Sequence, residues 1–272
     1  MKYWKITALY FGSITVPKSA FTGGLDPDLI IKFPIIGYLL RNGEENILVD
    51  TGINDARAQG GAAELGGSTE GGREYVLKAL SEEGLAPQDI DAVIYTHLHV
   101  DHAGNVALFR NARIYYQKEE YCNLMHPLPT QKDGYDVQTL RELSNIPHPY
   151  VVDGNLVLPN GLELYRTPGH TSGSMSLRVA TKEGQYILTG DTAHCSVILF
   201  PQLTEMELLG GEIVPITPHP DKNMPYVFSS LLTDQYSAYD SLNRLKCLAP
   251  SFEPKWYLTG HDCWIINRKY FG

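Results

Sequence analysis

Four side chains able to hold a metal ion fall within six residues, His97-Leu98-His99-Val100-Asp101-His102. Isolated imidazoles and carboxylates are ordinary on a solvated surface, but here partners recur downstream. They are His170 in Thr167-Pro168-Gly169-His170, Asp191 in Thr189-Gly190-Asp191-Thr192, and His261 in Thr259-Gly260-His261-Asp262. Imidazole and carboxylate together suit borderline divalent ions, zinc first, with manganese, iron or cobalt as alternatives. Seven candidate ligands exceed the four of a tetrahedral ion, so two adjacent metals are expected. In an extended loop His97 and His99 project to the same side. Asp101 and His102 are expected to open a following helix and so to point elsewhere.

The elements that must carry these residues follow from hydrophobic period and turn chemistry. Residues 3–14 read as a first strand, and 33–41 with 46–50 as a hairpin across Asn42-Gly43-Glu44-Glu45. Residues 54–72 hold six glycines and four alanines without periodicity and read as a mobile loop. A helix is expected over 73–83, stopped by Gly84. A short buried strand over 91–96 would deliver His97. Further strands are expected at 111–116, 161–166, 174–180, 185–189 and 255–259, and helices at 118–125 and 236–248. His170, Asp191 and His261 each fall just past a strand end. Between Pro201 and Pro225 the pattern dissolves into Pro-rich sequence. The order gives an α/β or α+β chain, residues 1–272 forming one domain, with no repeat.

Composition excludes several partners. The formal charge of −9 and the lack of any Lys/Arg-rich run argue against a nucleic-acid substrate. No stretch reaches the roughly 18 apolar residues of a membrane span, and residues 1–7 do not read as a signal peptide. The four cysteines, Cys122, Cys195, Cys247 and Cys263, show no CxxC spacing and read as small buried hydrophobes in a reducing cytoplasm. A small-molecule substrate and a cytoplasmic location are expected, with a homodimer as a possible assembly.

The series HxHxDH, lone His, Asp, final His resembles the metallo-β-lactamase superfamily over residues 49–262. The resemblance implies an αββα sandwich, two mixed sheets face to face with helices outside and metals at one edge. It implies that His97, His99 and His170 hold one metal, that Asp101, His102 and His261 hold the second, and that Asp191 bridges them. A hydroxide shared by the two metals would then attack a carbonyl carbon, with Asp101 also a proton shuttle to the leaving group. Asp50 matches a position that orients a ligand histidine in the family, while a plain strand-ending turn residue is the equal alternative. His126, His148 and His219, each close to a proline, read as surface residues.

Among the branches of that superfamily, the chain is most similar to quorum-quenching N-acyl homoserine lactone lactonases and 4-pyridoxolactonase. The resemblance rests on residues 167–177, Gly260-His261-Asp262 and the segment Leu242-Asn243-Arg244-Leu245. It implies opening of a small lactone. Hydrolysis of another small ester, thioester or cyclic amide is the alternative, and a non-haem iron sulfur or persulfide oxygenase a further one. One position departs from the lactonase pattern: His194 stands where those enzymes carry a Tyr that hydrogen-bonds the lactone. As a catalytic residue His194 would donate to the substrate or protonate the leaving alkoxide; otherwise it fills polar space beside the metals.

Overall fold

Apolar side chains alternate along the strands so that both faces of each sheet need cover, and that requirement sets the layering. The computed structural model describes residues 3–59 and 67–272. The first sheet is built from β1 (Lys5–Pro17), β2 (Ile30–Arg41), β3 (Asn46–Val49), β4 (Ser68–Gly71), β5 (Ala92–Ile94), β6 (Arg113–Gln117) and β7 (Tyr150–Val152). The second takes β8 (Leu156–Val157), β9 (Glu163–Arg166), β10 (Met175–Ala180) and β11 (Gln185–Gly190). A two-stranded ribbon, β12 (Glu205–Glu207) and β13 (Ile213–Pro215), follows. Then β14 (Tyr257–Thr259) joins the second sheet and β15 (Tyr270–Phe271) returns to the first. The strand orders are β15-β1-β2-β3-β5-β6-β7, with β4 on β1, and β14-β11-β10-β9-β8. The run β3-β5-β6-β7 is parallel, as is the pair β11 and β14.

Period-2 alternation assigns the faces. Ile47, Val49, Ala92 and Ile94 meet Leu177, Val179, Leu188 and Leu258 between the two sheets. Their neighbours Leu48 and Val93 point the other way. That outer face is covered by α2 (Arg73–Glu82), α3 (Lys118–Met125) and α4 (Val137–Ser144), with α1 (Asp55–Gln59) at its margin. On the far side of the second sheet, Ile187 and Tyr257 pack under α5 (Ser196–Leu199) and α6 (Gln235–Leu248). Asp234 caps α6 by accepting from the N–H groups of Tyr236 and Ser237. A last short helix, α7 (Cys263–Arg268), wedges Ile265 into the inter-sheet core. The layering is therefore the αββα sandwich that the resemblance implied.

Several local expectations differ. Residues 54–72 are not one loop, because they contain α1 and β4; residues 60–66 lie outside the described residues. Strand β4 forms with little apolar signal because backbone pairing to β1 supplies its hydrogen bonds. Asp101 and His102 do not open a helix. They lie in a turn whose N–H groups, at His102 and Ala103, return to the carbonyl of His99 at 3.1 and 2.9 Å. Residues 201–225 include the β12–β13 ribbon, and 254–256 form a 3₁₀ turn instead of strand. Of the cysteines only Cys195 and Cys263 are buried; Cys122 and Cys247 are exposed.

Leu177 is fully buried at the centre of β10, between the sheets. Leu177→Ala should lower stability by about 2–5 kcal/mol through the lost apolar contact and the cavity left behind. A urea titration reads this as a lower midpoint with unchanged slope. An unmoved midpoint would refute the inter-sheet placement of this side chain.

Candidate metal centre

Every expected ligand leaves the C-terminal end of a strand. His97 to His102 follow β5, His170 follows β9, Asp191 follows β11 and His261 follows β14. Strand β9 is antiparallel to β10, which is antiparallel to β11, so β9 and β11 run the same way, and β14 is parallel to β11. The ligand-bearing ends are thus gathered at one rim of the sandwich. The first loop is buttoned down by the segment after β3: Thr51 N–H donates to the His102 carbonyl at 2.7 Å, and Asn105 Nδ2 donates to the carbonyls of Thr51 and Ile53 at 2.8 and 2.9 Å. Two glycines let the loops approach. A Cβ at Gly260 would sit 2.1 Å from Asp191 Oδ1, and Gly190, at φ +51, lies against Thr96.

The ligand atoms form overlapping groups. His97, His99 and His170 make one, and Asp101, His102, Asp191 and His261 make another, with the donor atoms of each group within 4.8 Å of one another. Asp191 lies at the junction. Its Oδ1 is 3.4 Å from His102 Nε2 and 3.3 Å from His261 Nε2, and its Oδ2 is 3.7 Å from His170 Nε2 and 3.9 Å from His97 Nε2. His99 turns Nδ1 inward, 2.9 Å from His170 Nε2. Asp101 Oδ2 stands 3.5 Å from His102 Nε2 and 3.7 Å from His261 Nε2. Buried Nε2 of His97 and His102 and Oδ1 of Asp191 have no hydrogen-bond partner among the described residues. Orphaned inward donors on borderline ligands are what divalent metal ions satisfy, so the residues present fit two of them.

Outer hydrogen bonds fix which nitrogen points inward. His261 donates its Nδ1–H to the Pro34 carbonyl at 2.9 Å. His102 Nδ1 lies 2.9 Å from Asp50 Oδ2, and Asp50 also accepts from Thr96 N–H and Oγ1–H, each at 2.8 Å. With its own proton given to Asp50, Thr96 Oγ1 accepts from His97 Nδ1 at 3.2 Å. In their neutral form all three rings therefore present the Nε2 lone pair to the centre. Asp50, whose turn role and orienting role were equal expectations, does orient His102, from a left-handed backbone at φ +62.

Electrostatics divide the imidazoles. Burial drives His99 and His170 down to about 3 and His97 well below its ordinary value, so these rings stay neutral near pH 7. Burial likewise takes His194 down to about 3. Burial also opposes charge on His102 and His261, but the adjacent carboxylates of Asp191 and Asp101 outweigh it and raise both. Burial disfavours the Asp191 anion too, yet His102, His194 and His261 hold its carboxyl well below the usual range.

A cavity of about 350 Å³ opens onto this cluster, floored by His99, Asp101, His170, Asp191 and His261. Its walls are mostly apolar, with Ile14, Phe21, Ile53, Leu128, Leu231 and Leu232 facing inward. A polar set, Arg57, Thr69, Thr130, Gln131 and Thr233, interrupts them.

Residues 36–261 match the family model of the metallo-beta-lactamase superfamily. The chain belongs to that superfamily. Related proteins include an N-acyl homoserine lactonase of Bacillus cereus, 32% identical over 204 residues, and one of Bacillus sp, 30% identical over 200 residues. Each of these alignments covers 70% of this chain and 77% of the relative. Among solved structures, an N-acyl homoserine lactone hydrolase with N-hexanoyl-L-homoserine at its catalytic metal centre superposes with a TM-score of 0.75. It is 24% identical, with all of both chains covered. The dizinc quorum-quenching lactonase AidC superposes with a TM-score of 0.66 at 23% identity, covering 96% of this chain and 88% of that one. The chain is accordingly a metallo-hydrolase of the superfamily, related to the lactonases.

All seven residues expected as superfamily ligands meet at this rim, and His194 joins them, with Nε2 3.4 Å from Asp191 Oδ2. His126 and His148 are exposed and His219 half-buried, as expected of surface residues. Sequence reading missed Glu120. It lies fully buried on α3, where Oε2 accepts from Leu98 N–H at 2.9 Å and Oε1 from Gly173 N–H at 3.2 Å and from the Thr171 hydroxyl. Glu120 thus ties the His97–His102 loop to the His170 loop. The available signal was an acid sharing a helix face, at an interval of four, with buried Leu124. Glu120→Ala should weaken retention of added zinc by roughly 10- to 100-fold, the usual cost of losing a partner behind a ligand. Competition with a chromophoric chelator measures it; affinity equal to wild type would remove Glu120 from the centre's support.

Proposed function

We propose that this protein opens the ring of a small lactone of the N-acyl homoserine lactone type, using two divalent metals, zinc first. The observation that carries the reading is the shared Asp191 between two donor groups at the floor of an apolar-walled cavity. Two such ions, when bound, polarise a carbonyl and lower the pKa of water towards neutrality. His97, His99 and His170 would hold one ion, Asp101, His102 and His261 the other, and Asp191 would be shared between them. The outer bonds to Asp50, Thr96 and Pro34 engage Nδ1 of three of those imidazoles, so the nitrogen each offers an ion is Nε2.

Asp101 is the ligand best placed to move a proton. Its carboxylate is partly exposed to the cavity, where the other carboxylate, Asp191, is enclosed by imidazoles. As water adds its oxygen to the lactone carbonyl carbon, the proton it gives up can pass through Asp101 to the ring oxygen while the ring C–O bond breaks, leaving a carboxylic acid and an alcohol on one opened chain. The apolar walls would receive an acyl chain, and the formal charge of −9 favours a neutral substrate over a polyanion. Relatives at 30–32% identity that are themselves N-acyl homoserine lactonases support the lactone class.

The test is a panel of homoserine lactones, γ-butyrolactone, simple thioesters and a β-lactam, followed by chromatography with chelated and zinc-reloaded protein. Lactone opening should vanish on chelation and return with zinc, and Asp191→Ala should lose metal and turnover together. Asp101→Asn should lower kcat by about 10²- to 10⁴-fold, the usual contribution of a positioned acid or base. Turnover of thioesters or cyclic amides without lactones would move the reading to the alternative hydrolase. Lactone opening by metal-free protein would overturn the mechanism.

A further inference from the structure

We infer that His194 is itself a metal ligand, a further imidazole on the side of the centre formed by His97, His99 and His170, and does not meet the substrate. The inference rests on the metal-centre reading above and adds a donor to it.

The first support is position. His194 ends the 3₁₀ turn begun by Asp191, and its carbonyl accepts from His261 N–H at 2.8 Å. The backbone is thereby clamped between the shared carboxylate and the last ligand loop. The ring then points at Asp191, with Nε2 3.4 Å from Oδ2. That is nearer than His170 Nε2, at 3.7 Å, or His97 Nε2, at 3.9 Å, come to the same oxygen. Two donors bonded to one ion at 2.0–2.2 Å are separated by roughly 3.0–3.5 Å, so the spacing is a ligand's spacing. His170, Asp191 and His194 moreover form a group of their own, with donor atoms within 4.8 Å of one another.

The second support is the state of the ring. The side chain is buried, and neither Nδ1 nor Nε2 has a hydrogen-bond partner among the described residues. A ring kept only to fill space would leave both nitrogens unpaired where a phenyl ring would leave none. The third support concerns access. A donor to the substrate must face the cavity, and His194 is absent from its lining, whereas Phe21 lines it and stacks on His194 with ring centroids 4.9 Å apart. The Phe21 ring takes the cavity side and leaves His194 to the metals.

The test reads coordination directly, with zinc as the probe. Long-range ¹H–¹⁵N spectra of zinc-free and zinc-loaded wild-type protein should show one His194 ring nitrogen moving to a metal-bound shift. The resonance is assigned by its loss in His194→Ala. Zinc competition on His194→Ala and His194→Phe, with folding checked by circular dichroism, should show one of two zinc ions weakened at least about 10-fold, since even partners behind a ligand cost that much. A His194 ring unaffected by zinc, or both ions held by His194→Phe as tightly as by wild type, would overturn the inference. Protein that takes up no zinc at all would refute the metal centre as a whole, an outcome distinct from two bound ions with His194 free.

Discussion

One buried carboxylate organises the molecule. Asp191 lies within 4 Å of five imidazoles, those of His97, His102, His170, His194 and His261. No such cluster is stable without compensation, because burial penalises the carboxylate and every imidazolium alike. Without metal, the carboxylates of Asp191 and Asp101 favour protons on His102 and His261 and raise both rings, while burial lowers His97, His99 and His170. Divalent ions would take over the same role from the inside, displacing those protons, so metal uptake and proton release are coupled at this rim.

The fold serves that constraint by spending parallel strand ends on it. A parallel pair sends both C-terminal ends to one edge, and here β3 with β5 and β11 with β14 deliver Asp50, the first ligand loop, Asp191 and His261 together. Close approach then depends on residues without side chains. Gly260 leaves room for the Asp191 carboxylate, and Gly190 turns the chain where Thr96 must reach Asp50. The apolar packing between the sheets, from Val49 and Ile94 across to Leu188 and Leu258, lies directly beneath these loops and sets their separation.

What was legible in the sequence follows this division. Ligand types and their order survive translation into one dimension because HxHxDH is local and each later ligand follows a strand end. The strands near the ligands were legible because buried parallel strands read as apolar runs, as with Val93 and Ile94. Strand β4 was not, since its polar residues Ser68, Thr69 and Glu70 rely on backbone pairing to β1. Nor was α4, whose helix period over 137–144 is short and whose N-cap is a lone Asp136 accepting from Gln138 N–H. Glu120 escaped for a different reason: Leu98 and Gly173, 22 and 53 residues away, reach it through backbone N–H groups, which no residue type announces.

The cavity walls are where sequence says least, and there is a physical reason. Leu128, Leu231 and Leu232 sit in segments with no period of their own, held in place by what the metal loops offer them. Gln131 Nε2 and Thr233 Oγ1 both donate to the His170 carbonyl, at 3.1 Å each, and Thr233 N–H donates to the Gly169 carbonyl at 2.9 Å. Walls and ligand loop thus share a carbonyl. Substitutions among the leucines reshape the space without touching those bonds, so the shape of the cavity can drift while the centre stays fixed. Substitutions at Gln131 or Thr233 reach the His170 loop through its backbone and so couple substrate fit to metal geometry. Substrate choice is therefore written in two kinds of residue on the same wall, free side chains that set shape and tethered ones that cannot change without disturbing a ligand.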